Sequence, residues 1–293
     1  MIRIALIGDI HRYWDQKDTD WFNDSDYDLV LFVGDLPGRS HLHANQVASI
    51  MAGLKKPGFF IPGNHDGVSA IQFLAELKQN RALLDRSWEK QKARCDRLRK
   101  TLGPIVYSAY SRHPIQIRNM SFDLIAGRPH SMGGPNLSFV RYMKEAYGVS
   151  SLEDSLRLME GLIDQAGESV LFLCHNGPSG LGSLRSDIWG SDFSRNGGDW
   201  GDPDLEKAVE YARTKGRRVL GVLAGHMHHR LRGSGFRIEK KENGGTLYLN
   251  AACVPRIFHR NDIPVRHHIR ILTDGKTMES ETVLVGPDGV VSS

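Results

Sequence analysis

Six short apolar runs, each followed within a few residues by glycine, constrain this 293-residue chain more than any other feature. They occupy residues 3–8, 29–33, 59–61, 124–126, 170–173 and 219–224. Continuous apolar runs bounded by glycine are the pattern of strands covered on both faces. Helical periodicity fills the gaps at residues 41–54, 69–102, 150–166 and 202–215. The second carries an apolar stripe through Leu74, Leu77, Leu84, Trp88, Cys95, Leu98 and Leu102, and fits one long helix or a hairpin broken at Gln79-Asn80. Ser150 with Glu153 forms a capping-box signature. Asp202-Pro203 supplies a cap and a proline at the first helical position, and Gly216 closes that helix. Strand–helix alternation predicts a largely parallel α/β sheet through the first half. After Thr246, strands at 247–251, 268–272 and 282–285 predict a second, mixed or antiparallel sheet.

Two segments, 128–147 and 177–201, are rich in Gly, Ser, Pro and aromatic residues and fit no element. Loops of that length in a compact domain are usually functional or disordered. Both follow strands at the end where ligands bind in open α/β sheets. Residues 181–200 are the better candidate for a substrate lid.

Five of the six runs end in side chains that bind metals or move protons. Together they offer Asp9, His11, Asp35, Asn64, His65, His175, His226 and His228. Asp-x-His and His-x-His spacings put two side chains on one side of an extended segment. Carboxylate with imidazole suits Mn, Fe or Zn better than Ca or Mg, and the lack of clustered cysteine argues against a structural zinc site. Seven ligands drawn from these eight residues are too many for one tetrahedral ion and suit two ions sharing a bridging carboxylate. Two divalent ions bring four positive charges, of which Asp9, Asp35 and a bridging hydroxide would remove three. The remainder attracts a phosphate, and ions roughly 3.5–4 Å apart can clamp a phosphoryl group while acidifying a water.

In order, Asp9-x-His11, Gly34-Asp35, Gly63-Asn64-His65-Asp66, His175 and Gly225-His226-x-His228 resemble the five motifs of calcineurin-like metallophosphoesterases. A looser tail, Asn250-Ala251-Ala252 to Pro255-Arg256, is similar to the Asn-Pro-Gly-Ser…Pro-Arg turn of bacterial members. The resemblance implies an α/β fold, a sandwich of two mixed sheets flanked by helices, as a single domain over residues 1–293 with insertions at about 69–102, 128–166 and 177–216. It implies that Asp9, His11 and His228 hold one metal, that Asn64, His175 and His226 hold the other, and that Asp35 bridges them. His65 would protonate the leaving oxygen or bind the phosphate. The implied chemistry is dinuclear metal-dependent hydrolysis of a phosphate mono- or diester by a metal-bridging hydroxide, on a small phosphorylated metabolite or nucleotide. Two other classes remain in view: a non-catalytic scaffold of the same fold, as in the retromer scaffold subunit, and a nuclease-type phosphodiesterase.

One departure is specific. Serine/threonine protein phosphatases of this superfamily carry Gly-Asp-x-x-Asp-Arg-Gly, whose second Asp orients the acidic His. Here Gly38 stands at that position, so His65 needs a different partner and the protein-phosphatase branch loses weight. Arg39 stands where a phosphate-binding Arg would, and Arg256 is a further substrate-contact candidate, with Arg128 and His130 behind them. Asp66 is read either as a catalytic residue beside His65 or as the cap of the following helix. His41, His43, His113, His130, His229 and His259 match no motif position and are read as surface or structural.

Composition narrows the partners. A net charge of +4 permits an anionic substrate without demanding nucleic acid. The basic run from Arg86 to Lys100 has helical spacing with Glu89 and Asp96 interspersed, which reads as a solvated helix face. Three widely spaced cysteines favour a reducing compartment over a disulfide framework. No apolar run approaches the roughly 20 residues that cross a bilayer, and the N-terminus enters a strand without a signal-peptide pattern. A cytoplasmic protein without a membrane partner is expected.

Overall fold

The structure is a computed structural model that describes residues 1–38, 41–194 and 196–291. Its first part contains β1 (Ile2–Ile7), α1 (Gln16–Asp24), β2 (Leu29–Phe32), α2 (Leu42–Met51), β3 (Gly58–Phe60), α3 (Ala70–Leu77), α4 (Arg81–Thr101) and β4 (Val106–Tyr107). Then come β5 (Ser111–Ile117), β6 (Met120–Ala126), α5 (Val140–Tyr147), α6 (Leu152–Asp164), β7 (Ser169–Leu173), α7 (Pro203–Thr214) and β8 (Arg218–Ala224). The remainder is all strand: β9 (Lys240–Asn243), β10 (Thr246–Asn250), β11 (Ile257–Arg260), β12 (Ile263–Thr273), β13 (Met278–Gly286) and β14 (Gly289–Val291).

These strands make two mixed sheets. One has the order β14-β13-β12-β1-β2-β3-β4, with β11 on β12, and the other the order β5-β6-β7-β8-β10-β9. β1 to β4 are parallel, as are β6, β7, β8 and β10. The expected sandwich is therefore present, with one correction. The C-terminal strands do not make a sheet of their own. β10 joins the second sheet beside β8, while β12 lies antiparallel on β1 and carries β13 and β14 with it. The register explains why: Ile4 sits opposite Ile271 and Leu6 opposite Ile269, so β12 extends the same apolar face as β1.

Period-two alternation divides the burial. Ile2, Ile4 and Leu6 face the core between the sheets with Leu124, Leu171, Leu223 and Leu249, whereas Ala5 and Ile7 face the helical layer of α1, α2 and α4. A third cluster packs α6 and α7 on the second sheet. The region 69–102 is a hairpin, not one helix. Ser69 caps α3 in a capping box with Gln72, and Asn80 caps α4 through Leu83 N. Of the anticipated stripe, Cys95, Leu98 and Leu102 are buried while Leu74 and Leu77 are exposed. The cap of α6 is Ser151, paired with Asp154 N, not Ser150. Asp202 makes no capping bond because its carboxylate is engaged elsewhere. Residues 140–147, read as loop, form α5, and α1 carries too little apolar periodicity to stand out in sequence. No helix among the described residues is long and apolar enough to cross a membrane.

Candidate metal centre

Five of the parallel strands hand side chains to the same end of the sandwich, three of them through a turn of unusual backbone. Asp9, His11, Asp35 and His226 have φ of 39°, 41°, 55° and 68°. Non-glycine residues seldom adopt this left-handed region, and such positions gather at functional sites because the surrounding structure must over-determine them. Two glycines make the close approach possible. A Cβ on Gly63 would collide with the Asp35 carboxylate and the His175 ring, and one on Gly225 would collide with the Asp9 carboxylate.

The side chains converge in two linked groups. Asp9 Oδ2 lies 3.3 Å from His228 Nε2 and 4.0 Å from His11 Nε2, and the two imidazole nitrogens are 3.3 Å apart. Asn64 Oδ1 lies 2.8 Å from His175 Nε2 and 3.0 Å from His226 Nδ1. Asp35 Oδ2 stands between the groups, 3.8 Å from His11 Nε2 and 3.7 Å from His175 Nε2. All seven residues thus share one site, contributed by the ends of β1, β2, β3, β7 and β8.

The arrangement fits cations. Asp9 is fully buried, and its Oδ2 has no hydrogen-bond partner among the described residues. A buried carboxylate oxygen without a partner is expensive to keep. The orienting bonds are those expected behind metal ligands: His11 Nδ1 meets the Pro37 carbonyl at 2.9 Å and His175 Nδ1 meets the Val33 carbonyl at 2.5 Å. A carbonyl only accepts, so it fixes the proton on Nδ1 and leaves Nε2 facing the site. The remaining oxygens of the carboxylates are held by backbone, Asp9 Oδ1 by His226 N at 2.9 Å and Asp35 Oδ1 by His65 N at 2.9 Å.

Charge follows the same geometry. Burial opposes ionisation of Asp9, but His228, His175 and His11 outweigh it and hold its carboxyl well below the usual range. Burial likewise opposes charge on His175, but Asp35 and Asp9 raise its pKa. His226 is pushed down to about 3 by burial, reinforced by the His175 charge.

Asp66 is not the helix cap anticipated as one of its two roles. Ser69 caps the helix, while Asp66 accepts hydrogen bonds from Asp35 N at 2.7 Å, Leu36 N at 3.0 Å and Gly63 N at 2.8 Å. Both its oxygens are consumed and it is fully buried, so it ties the turn after β2 to the turn after β3 instead of facing substrate. Burial and the neighbouring Asp35 raise its pKa to about 7 against those three bonds. His65 is the ring at the edge of the site. It stacks on Phe73 at 4.7 Å between centroids with 23° between planes, and meets His11 edge-on at 5.5 Å. Phe73, a residue of α3, is the orienting partner that the sequence left unnamed.

Arg256 is not available to substrate. It is 1% exposed, with Nη1 2.9 Å from Asp18 and 2.8 Å from the Tyr13 carbonyl, and its guanidinium lies over Trp14. Its partner is an acid of α1, the helix that the sequence did not reveal. Arg128 is buried between Asp202 and Asp204 at 2.9 and 3.0 Å, and His130 is buried against the Gly63 carbonyl at 2.9 Å. Arg39 lies outside the described residues. The segment expected as a lid is anchored: Trp189 is buried, and Arg237 binds the carbonyls of His228 at 3.1 Å, Arg185 at 3.0 Å and Asp187 at 2.9 Å. Arg237 carried no motif signal, since its function is to bond backbone.

A family model described as calcineurin-like phosphoesterase matches residues 2–230. No curated protein matches the chain in sequence. Solved structures of related outline include Haemophilus influenzae NAD nucleotidase, 11% identical with a TM-score of 0.49 over 100% of this chain and 53% of that one. Another is the Thermus thermophilus sulfate thiohydrolase SoxB, 11% identical with a TM-score of 0.40 over 88% of this chain and 38% of that one. A metallophosphoesterase from Sphaerobacter thermophilus is 12% identical with a TM-score of 0.36 over 96% and 88%. The chain thus spans about half the length of the first and less of the second, and these distant likenesses carry no chemistry.

Proposed function

The chain belongs to the calcineurin-like phosphoesterase family, and on that premise we propose that it hydrolyses a phosphate mono- or diester at the strand-end cluster. The substrate proposed is a small phosphorylated metabolite or nucleotide. Asp9, His11 and His228 would hold one ion, Asn64, His175 and His226 a second, and Asp35 would lie between them, with Mn, Fe or Zn as the metals. When bound, such ions supply Lewis-acid charge to phosphoryl oxygens and acidify a water.

The rest falls to side chains. The Pro37 and Val33 carbonyls keep His11 and His175 in one tautomer. Asp66 holds two ligand-bearing turns in register through their backbone N–H groups. His65 makes no ring hydrogen bond to a described residue, so once placed by Phe73 it can bind the phosphate or give a proton to the leaving oxygen.

The observation that carries the reading is the buried Asp9 Oδ2, which among the described residues has imidazoles around it, His228 Nε2 nearest at 3.3 Å, and no Lys or Arg. The experiment is metal analysis of purified protein, then assay of an aryl phosphate and an aryl phosphodiester with added Mn²⁺. Turnover that is lost in Asp35→Asn is expected. If freshly metallated protein turns over neither ester and Asp35→Asn changes nothing, catalysis is the wrong reading.

A further inference from the structure

A second group of metal-binding side chains begins one residue after His228. One ring nitrogen each of His229 and His267, and Cys253 Sγ, lie within 4.8 Å of one another. They come from the loop after β8, the turn after β10, and β12. His229 Nε2 lies 2.8 Å from the Asn250 carbonyl, which can only accept, so that nitrogen carries a proton. Its Nδ1 lies 3.6 Å from Glu239 Oε1. With the ring neutral, two acceptors face each other across that gap. His267 is 4% exposed, and its Nε2 has no hydrogen-bond partner among the described residues. Cys253 is a free, half-buried thiol. A cavity of about 510 Å³ bounded by Arg230, Phe236 and Phe258 reaches both His229 and Cys253.

We propose that His229, His267, Cys253 and Glu239 form a mononuclear Zn²⁺ site distinct from the strand-end cluster. Thiolate, imidazole and carboxylate are all zinc donors, and a tetrahedral sphere with Zn–S about 2.3 Å and Zn–N about 2.0 Å separates its donors by roughly 3.3–3.6 Å. The His229, His267 and Cys253 donors lie within 4.8 Å and Glu239 within 3.6 Å of His229, so binding would draw the four together by side-chain rotation. On binding, the Cys253 thiol releases its proton to water. One thiolate and one carboxylate then cancel the charge of the ion, so nothing uncompensated is buried. The neighbouring Arg256 does not compete, because Asp18 already pairs it at 2.9 Å. A carbonyl behind the His229 ring is the orienting contact found at metal-binding histidines. The lack of clustered cysteine is no obstacle, since a single thiolate completes a mixed set.

The ion would fix the loop that carries His228. His229 N already bonds the Ala252 carbonyl at 3.0 Å, and Arg237 N bonds the His229 carbonyl at 2.7 Å. A metal there adds β12 to the same tie.

Full-length protein stripped with chelator and titrated with Co²⁺ tests this. A thiolate-to-cobalt charge-transfer band is expected in the near ultraviolet, reaching the amplitude of one thiolate–cobalt bond per chain once the strand-end cluster is also filled, and absent from Cys253→Ser. The strand-end cluster has no cysteine among its proposed ligands, so the band reports this site whether or not the chain is a hydrolase. No band in the wild type, or a band kept by Cys253→Ser, overturns the proposal. Alkylation of Cys253, followed by peptide mapping on the wild type, needs no variant. One equivalent of Zn²⁺ beyond those that fill the strand-end cluster should slow it at least about tenfold, and an unchanged rate also overturns the site.

Discussion

Two buried carboxylate pairs lie near the same ends of the parallel strands, and they are neutralised in opposite ways. Asp202 and Asp204 enclose Arg128, whose Nη2 and Nε stand 2.9 and 3.0 Å from them, and Ser131 and Ser155 bond them at 2.8 and 2.5 Å. Asp9 and Asp35 are as deeply buried, but among the described residues neither is paired with Lys or Arg. Their neighbours are histidines whose other nitrogens are tied to backbone. Where the chain supplies a cation from its own sequence, the cluster is a fastening between β6, the loop after β7 and α7. Where it supplies imidazoles instead, the cluster is the one proposed to take a cation from outside. Buried acid alone does not mark a site. The identity of its counter-charge does.

That contrast can be broken most directly at Arg128. Arg128→Met leaves two buried carboxylates facing one another, and should cost about 3–5 kcal/mol of stability by urea unfolding. A loss under about 1 kcal/mol would mean that the fastening does not depend on its own cation. Asp35→Asn should lower kcat/KM for an aryl phosphate by about 100–1,000-fold, equivalent to about 2.7–4 kcal/mol. It should also abolish the rise in Tm that Mn²⁺ gives the wild type, while metal-free stability holds. Retained Mn²⁺ stabilisation would remove Asp35 from the ligand set. Within the open cluster, His65→Ala should reduce kcat by about 100-fold on alkyl esters and much less on esters with acidic leaving groups. An equal loss on both would make His65 a binding residue instead.

The smallest effect concerns pH. Burial, reinforced by Asp204 and opposed by Arg128, raises the Asp202 pKa from 3.8 to about 6. The folded state therefore holds a proton that the unfolded chain releases first. The stability this contributes is fully present below about pH 4 and is lost as pH rises through about 6. Replacing Asp202 with Asn should flatten the fall in Tm across that window, measured by calorimetry. Superimposable profiles would show that Asp202 is ionised throughout.

Sequence disclosed the open cluster far better than the closed one, for a physical reason. The proposed metal ligands leave strand ends in fixed order and spacing, so Asp9, His11, Asp35, Asn64, His175, His226 and His228 stand out against apolar runs. Residues that act through partners distant in the chain leave no such trace. Arg256 reads as a substrate contact until its partner, Asp18, is seen on α1. Asp66 reads as a cap until its three bonds to backbone N–H groups two turns apart are seen. The layered α/β architecture was legible from alternation, whereas the sheet to which β12 belongs was not, because pairing with β1 is a matter of register and not of composition. His229, His267 and Cys253 are hidden in the same way. Three segments bring them together, and none of the three residues stands at a motif position.

The left-handed turns at Asp9, His11, Asp35 and His226 have a consequence for anyone who would re-engineer this centre. Asn, Asp and His tolerate that backbone better than other side chains, apart from Gly. Gly brings no donor atom. The alphabet admitted by the turn is thus nearly the alphabet that the proposed ion would admit, and exchanges within it, such as Asp for Asn, are backbone-neutral. Glu or Cys, chosen to retune the metal, would have to distort the turn as well. Chelation chemistry at these four positions can be edited only in a vocabulary of three residues.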